Sequence, residues 1–541
     1  MKPVLKLWLE LVIYCLLFLV FIAFIFINSQ NTSLTFLPFI SIDEYTFFNK
    51  YITMYKGLKE GSLSTFFSYG FYNYGFWYFA LNLVVTLPFI VIKKFSTVIF
   101  LARMTSAFFA LASLFTVYRI FRLWTTLECS ILGALIVLAM PGFWVNGFWN
   151  HPDWWMTFWL LLSVYTFMVE MKLGFAQKLN TLVTFSPRFW LGVFYFSLAV
   201  AFKLQAITFL PLVVLICLTP LMRYFKGKET SKTLLRLIKA LALILVTFML
   251  LNPFILHPVG LQAFIKTFNE NMLSNATAHN LNISYTVFEK LSQSVVPYYF
   301  SWPVLLLLIL ALVYQVFRFF SIRQDSFFSI LAFTCLLNLG YLLFFVNKTW
   351  QHYYLPVAML MWVCFVWFLR KSSTGIQRII LVSILLIQFY FFGAYYKPLF
   401  ANTKPVQSVT KTSAIISEQL KDLVSPNHHI LVSSYIPFPF QSLPLDFAHV
   451  HVFFGPFNEA LVSQVEHEKK WKSFKGYKPF NVPQFIILNK NDAHFDKTLE
   501  KQKLNPEQYQ NGRRLIDTLK NGKYDYKVIF ENESLLILGK K

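Results

Sequence analysis

Charge is scarce in this chain, and negative charge is scarcer still. Only 13% of its 541 residues are Asp, Glu, Lys or Arg, while 57% are hydrophobic and 19% aromatic. An ordinary soluble domain carries about 25% charged residues, so the deficit excludes that class and points to a polytopic membrane protein. The 25 carboxylates face 48 Lys and Arg, a net charge of +23, and only 11 of those carboxylates precede Pro398. The basic surplus lies in short loops between apolar runs, as on the cytoplasmic flanks of membrane helices. No basic stripe with interleaved aromatics lies outside the membrane part, so nucleic acid is not an expected partner. Cysteine is sparse too. Cys15, Cys129, Cys217, Cys335 and Cys364 all lie in apolar segments without metal-type spacing and read as small buried hydrophobes. The C-terminal region has none and needs no disulfide. Internal repeats and low-complexity linkers are also missing.

What is present is a series of apolar runs. They fall near 7–27, 98–118, 129–149, 154–171, 189–206, 207–222, 236–256, 299–317, 327–346, 353–369 and 377–396, each about long enough to span a bilayer. The first follows Lys2-Pro-Val-Leu-Lys6. It is longer than a signal-peptide core and no small-x-small cleavage site follows it, so it reads as a retained anchor with its N-terminus inside. A twelfth run, Tyr74 to Ile92, is decided by charge. If it does not span, the inner flanks hold Lys2/Lys6, Arg119/Arg122, Lys172/Lys178/Arg188, Arg223/Lys226/Lys228/Lys232/Arg236, Arg318/Arg323 and Arg370/Lys371/Arg378, as the positive-inside rule asks. If it spans, the bias inverts. Residues 74–92 are therefore expected at the outer interface, with Tyr and Trp at headgroup level. That leaves about eleven transmembrane helices in a domain 1–397. Its outer loops are 28–97, about 149–154, and 257–298.

From Pro398 to the end the chain turns polar. Strand-like runs His429–Ser433, Gln484–Leu488, Tyr526–Phe530 and Ser534–Leu538 alternate with helical stretches near 406–422 and 497–520. This pattern predicts a small extracytoplasmic α/β domain over 398–541, with the last two strands as a hairpin.

The rare polar groups converge on the outer side. Ser41-Ile-Asp-Glu-Tyr-Thr46 follows the first span, and a carboxylate there can serve as the base that takes a proton from an attacking hydroxyl. Taken by themselves, Asp43 and Glu44 read first as the acidic start of a solvated helix. His151-Pro-Asp153 precedes Trp154-Trp155; ionisable groups at membrane depth mark sites, and Asp153 also suits a helix cap. Arg103 and Lys203 sit near the outer ends of apolar helices, where each alone could snorkel. Together with Lys348 and His352 of Lys348-Thr-Trp-Gln-His352, they could clamp a phosphate. Tyr353 belongs to His352-Tyr-Tyr-Leu-Pro356, a normal interfacial anchor as well. A divalent metal held by Asp43, Glu44 and Asp153, with His151 beside them, is a further reading without a short motif behind it. Asn275-Ala-Thr277 and Asn282-Ile-Ser284 match a glycosylation pattern that is frequent by chance.

The order of these motifs resembles a known class. One span is followed by Asp-Glu, an aromatic interfacial helix, Ala102-Arg-Met-Thr-Ser106, His-Pro-Asp, Phe202-Lys203 and a late His-Tyr-Tyr-Leu-Pro. This is similar to the GT-C integral membrane glycosyltransferases, in the branch of dolichyl-phosphate-mannose protein mannosyltransferases and lipid A aminoarabinose transferases, over roughly residues 1–370. The resemblance implies a polyprenyl-phosphate sugar donor and an inverting transfer on the outer face of the plasma (bacterial inner) membrane. It implies an extracytoplasmic glycolipid, polysaccharide or protein acceptor, with Asp43 as general base. Glu44 and Asp153 match the other acids of the pattern, and Arg103, Lys203 and the Lys348–His352 region are the expected holders of the lipid phosphate. Relatives carry Lys-Pro-Pro or His-Pro-Pro before the interfacial helix, where this chain has Tyr72-Asn-Tyr-Gly75. The alternatives are a transporter or lipid flippase, which should show two related halves with broken helices, and a non-catalytic envelope assembly subunit.

Overall fold

The computed structural model describes residues 3–30, 37, 42–176, 186–223, 227–276, 284–322, 326–370, 372–401, 407–433, 436–440, 442–445, 449–453, 457–463, 482–490 and 506–541. Its first part is helical: α1 (Pro3–Gln30), α2 (Ile42–Lys59), α3 (Leu63–Phe67), α4 (Phe76–Val91), α5 (Phe95–Trp124), α6 (Leu127–Leu138), α7 (Pro141–Phe148), α8 (Asp153–Ala176) and α9 (Pro187–Phe202). It continues with α10 (Leu210–Arg223), α11 (Gly227–Leu251), α12 (Pro258–Ala276), α13 (Val287–Lys290), α14 (Trp302–Ile322), α15 (Ser326–Phe344), α16 (Leu355–Leu369) and α17 (Thr374–Ala401).

Every one of the expected spans lands on a helix. Among the described residues six helices are long and apolar enough to cross a membrane, or seven if α6 and α7 are one span bent by 63°. The chain is thus a multi-pass membrane protein. Two expected spans differ from straight rods. The 129–149 run breaks after Leu138, with Pro141 opening α7, because proline is tolerated at the start of a helix and not inside it. The 189–206 run stops at Phe202: Lys203 is extended (φ −152°, ψ 120°), and a 3-10 turn over Leu204–Phe209 leads into α10. Helix α4 covers the aromatic stretch expected at the outer interface. It turns Trp77, Leu81, Val84 and Val85 outward while Asn82 and Thr86 are buried, the inverse of a soluble helix and suited to lipid on its outer side. One apolar core runs through α5, α8, α9, α14, α15 and α16.

The C-terminal region holds α18 (Gln407–Leu420), β1 (Ile430–Ser433), β2 (Val450–Phe453), β3 (Phe485–Asn489), α19 (Pro506–Lys520), β4 (Tyr526–Glu531) and β5 (Leu535–Lys540). The strands form one sheet in the order β2-β1-β3-β5-β4. β1 is parallel to both neighbours, β5 runs antiparallel to β3, and β4–β5 is the expected hairpin. Strand β2 was not expected, because two of its neighbourhood's residues are histidines in a run of only four. The helix expected over 497–520 is seen from Pro506; its earlier part lies outside the described residues, as do Thr277 and Asn282-Ile283. The sheet does not float free. Ile430, Val432, Phe438 and Phe440 share a core with Tyr45, Phe48 and Tyr51 of α2, with the Tyr45 and Phe440 ring centres 6.5 Å apart. The domain is packed onto α2, the helix that carries Asp43.

Candidate functional site

Helix α2 begins with the two acids, and consecutive helical positions point about 100° apart. That rotation separates them. Glu44 is turned inward and buried, whereas the Asp43 side chain is 46% exposed. Arg103, buried on α5, donates from Nε to Glu44 Oε1 at 2.9 Å and from its terminal nitrogen to Oε2 at 2.7 Å. The Asn150 backbone N–H donates to Glu44 Oε1 at 2.8 Å, and Arg103 also reaches Ser29 Oγ at 3.4 Å. A bidentate guanidinium–carboxylate pair of this kind ties α1, α2, α5 and the start of α8 together. Arg103 is therefore engaged by Glu44 and stands apart from the other cations.

The second polar group is built around Asp153, the first residue of α8. Lys203 Nζ donates to Asp153 Oδ1 at 2.6 Å, and Asp153 Oδ2 lies directly against His151 Nδ1. His151 is held by its backbone, whose N–H and C=O both meet Ser106 Oγ at 3.1 Å. Its Nε2 looks toward Asp43 Oδ2 at 3.9 Å, and its ring lies 4.6 Å from that of His352. Five of the expected residues thus form one chain: Asp43, His151, Asp153, Lys203 and His352. Tyr353 joins them, its ring 5.3 Å from Lys203 Nζ, opposite Tyr74 at 5.4 Å, so the ammonium sits between two aromatic faces. Lys348 is buried nearby, donating to Ser274 Oγ at 3.0 Å with its ammonium 4.4 Å from the Trp350 ring centre. Burial lowers its pKa to about 8, against the pull of Asp43.

Lys203 is presented by the break after α9. The extended residue pairs with Tyr74, with Gly75 N–H donating to Phe202 O at 2.9 Å and Leu204 N–H to Asn73 O at 3.0 Å. Only glycine fits there: a Cβ on Gly75 would lie 1.8 Å from Ala201 O. The stretch Tyr72–Gly75, where the sequence departs from the pattern it resembles, is the backbone partner of Lys203. A cavity of about 120 Å³ opens beside it, lined by Asn73, Tyr74, Lys203, Gln205, Asn275 and Tyr353 among others.

The metal expectation shifts within the site. Both Glu44 oxygens are committed to Arg103, so the Asp43–Glu44–Asp153 set does not fit an ion. The donors that come together are those of His151, Asp153 and His352, within 4.8 Å of one another. His151 Nε2 and His352 Nε2 have no hydrogen-bond partner among the described residues, and two imidazoles with a carboxylate suit a zinc-type ion.

Sequence reasoning missed Asn150 and Tyr74. Asn150 donates from its side chain to Tyr51 Oη at 2.5 Å and accepts from Tyr78 Oη at 2.9 Å, locking α2 to α4. Its signal was available: a carboxamide between Trp149 and His151, beside an already suspect motif.

No protein-family model matches this chain, and no curated protein matches it in sequence. Solved structures match in fold. ArnT from Cupriavidus metallidurans, in a crystal structure with bound undecaprenyl phosphate, is 12% identical, with 98% of this chain and 97% of that one covered at a TM-score of 0.50. This chain has the ArnT fold. The oligosaccharyltransferase of Archaeoglobus fulgidus is similar over less: 77% of this chain and 62% of its own, 12% identical, TM-score 0.44 in the apo form. The ArnT fold includes the C-terminal region, since nearly the whole of both chains is covered. The expected polytopic helical membrane part with a small C-terminal α/β domain is the fold of this chain, shared over nearly its whole length with the ArnT structure.

Proposed function

We propose that this protein is a membrane glycosyltransferase that moves a sugar from a polyprenyl-phosphate carrier to an extracytoplasmic acceptor, with Asp43 as general base. The observation that carries the reading is the pairing of one exposed carboxylate, Asp43, with a buried Asp153–Lys203–His151–His352 cluster whose Lys203 also lines a cavity. An acceptor hydroxyl loses its proton to the Asp43 carboxylate as its oxygen bonds to the anomeric carbon. The bond from that carbon to the phosphate oxygen breaks, and the electron pair leaves on the lipid phosphate. Attack opposite the leaving group inverts the anomeric centre. Lys203 and Lys348 stabilise the charge that grows on the departing phosphate, and Asp153 holds Lys203 in place. His151, Asp153 and His352 would hold a divalent ion, which supplies further neutralisation of phosphate charge when bound. Undecaprenyl phosphate in the ArnT structure supports a polyprenyl carrier here. The eleven crossings and the outward-facing site rest on the charge bias of the loops, and the inner-membrane location rests on the transferase reading itself.

The test is release of free polyprenyl phosphate from a panel of polyprenyl-phosphate sugars, with a membrane extract as acceptor source. Wild type should release it from one donor, and Asp43→Asn should bind that donor without releasing it. Equal release by both proteins would remove Asp43 as the base. Donor binding with no release by wild type would favour a transporter or an assembly subunit.

A further inference from the structure

We propose that Lys50 binds the acceptor, and that the acceptor is an acidic saccharide whose phosphate or carboxylate lies two helical turns from the hydroxyl activated by Asp43; the link to Asp43 rests on the transferase reading. Helix α2 sets the spacing. Lys50 follows Asp43 by seven residues, close to two full turns, so both side chains leave the same face of α2, about 10 Å apart along its axis. The other faces are occupied. Glu44 is bound by Arg103, and Tyr45, Phe48 and Tyr51 join the core shared with the C-terminal domain. Between Asp43 and Lys50 the wall is aromatic. The Phe47 ring lies 5.3 Å from that of His151, beside Asp43, and 6.1 Å from that of Phe71. Lys50 Nζ in turn lies 5.0 Å from the centre of the half-buried Phe71 ring. Aromatic faces pack against the C–H face of a sugar ring, and an acidic substituent on the saccharide would meet the ammonium at the far end.

Lys50 differs from the other lysines of this region in having no polar partner. Lys203 is paired with Asp153, and Lys348 donates to Ser274. Lys203 and Asp43 both act on Lys348, so these charges form one cluster on the side of the donor phosphate. No carboxylate among the described residues pairs with Lys50, and burial alone lowers its pKa to about 8. An ammonium drawn out of water without a counter-charge weakens the fold, and the Phe71 face offsets only part of that loss. A bound anion would supply the rest through charge-assisted hydrogen bonds. The ammonium is also within reach of a ligand. Lys50 is only partly buried, and the exposed Gly70 stands beside it: a Cβ on Gly70 would lie 3.7 Å from Lys50 Nζ. With no side chain at Gly70, the nitrogen is approachable from that side.

The experiment uses the full-length protein in detergent and two probes. The first is a disaccharide bearing one phosphate, beside its unphosphorylated parent, titrated by calorimetry with undecaprenyl phosphate present to fill the Lys203–Lys348 seat. Wild type should bind the phosphorylated form at least about tenfold more tightly than the parent. Asp43→Asn and Lys50→Arg should keep that preference, and Lys50→Met should lose it. The second probe is the membrane extract, split on an anion exchanger and offered with the donor that wild type consumes. Transfer should go to the retained, acidic fraction and survive protease treatment of the extract; solvent partition of the product then tells a lipid-linked glycan from a free one. Lys50→Met should raise the KM for that fraction at least about tenfold, with the donor KM unchanged. Its unfolding temperature should equal or exceed that of wild type, because a cation without a counter-charge has been removed. Should Lys50→Met fail to fold, Lys50→Gln carries the same comparison. No preference for the phosphate in wild type, or an equal preference in Lys50→Met, would overturn Lys50 as an anion seat. Transfer to the unretained fraction, or to a protease-sensitive acceptor, would overturn the acidic saccharide. A preference that depends on Lys50 in a protein that transfers to neither fraction would uphold the seat and sink the transferase reading instead.

Discussion

Asp43 and Glu44 are neighbours in sequence and opposites in circumstance. Glu44 is sealed beneath α2, with both oxygens on Arg103 and a backbone N–H on one of them. Asp43 stands at the mouth of the site, half in water and 3.9 Å from an imidazole. A carboxylate whose lone pairs are filled by fixed donors has nothing to offer a substrate, while one that can shed water and accept a proton does. The difference separates a joint of the scaffold from a group available for chemistry.

The comparison is broken most sharply by neutralising each acid in turn. Asp43→Asn should lower transfer by about 10²- to 10⁴-fold, the usual contribution of a positioned general base, with no change in unfolding temperature. Thermal unfolding in detergent beside single-turnover release of polyprenyl phosphate would check both halves. Arg103→Leu acts on the other half. It strands Glu44 as a buried charge, a loss of about 3–5 kcal/mol of stability, seen as a large fall in unfolding temperature. Glu44→Leu combined with Arg103→Leu should recover much of that loss, because the pair is removed whole. A full loss of activity in this double variant at wild-type stability would mean that Glu44 has a chemical role after all.

Much of this arrangement was legible in the sequence, for reasons that differ along the chain. The helices were, because a lipid-facing segment admits few polar residues and its length is set by the bilayer. His151, Asp153, Lys203 and His352 stood out because ionisable groups are rare in such a background. The ion pair of Arg103 with Glu44 was not legible: 59 residues separate them, and positive charge near a helix end looks alike whether it faces a phosphate or a carboxylate. The break at Lys203 was hidden as well. Ala201-Phe-Lys-Leu-Gln205 has no proline or glycine, and the glycine that permits the break lies on the opposing strand at Gly75. Strand β2 was missed because His449-Val-His451 lacks the apolar run that marked β1.

Gly75→Ala tests how far the active region depends on that break. Its Cβ would collide with Ala201 O, so the Tyr74–Lys203 bridge must part. A backbone shift of this kind costs about 1–3 kcal/mol. The displaced ammonium should raise the donor KM more than the fall in stability alone explains. A variant that loses stability but keeps its donor KM would show that Lys203 is positioned by Asp153 alone.

The mildest probe is pH, and it acts through Lys348. With its pKa brought down to about 8 by burial, this lysine is mostly charged at pH 7 and mostly neutral at pH 9, a fall of about tenfold in the ammonium form. Donor binding that uses the charge should weaken by up to that factor across the interval, without a matching change in the chemical step. Stability should move the other way. Between about pH 8 and the ordinary lysine range the unfolded chain holds the proton that the folded protein has shed, so this residue's contribution to stability rises with pH. Lys348→Met should flatten both profiles, giving a donor KM near the wild-type pH 9 value throughout. If the KM profile of Lys348→Met keeps the wild-type slope, the phosphate is held by Lys203 without Lys348, and the cation clamp shrinks to the single ammonium between Tyr74 and Tyr353.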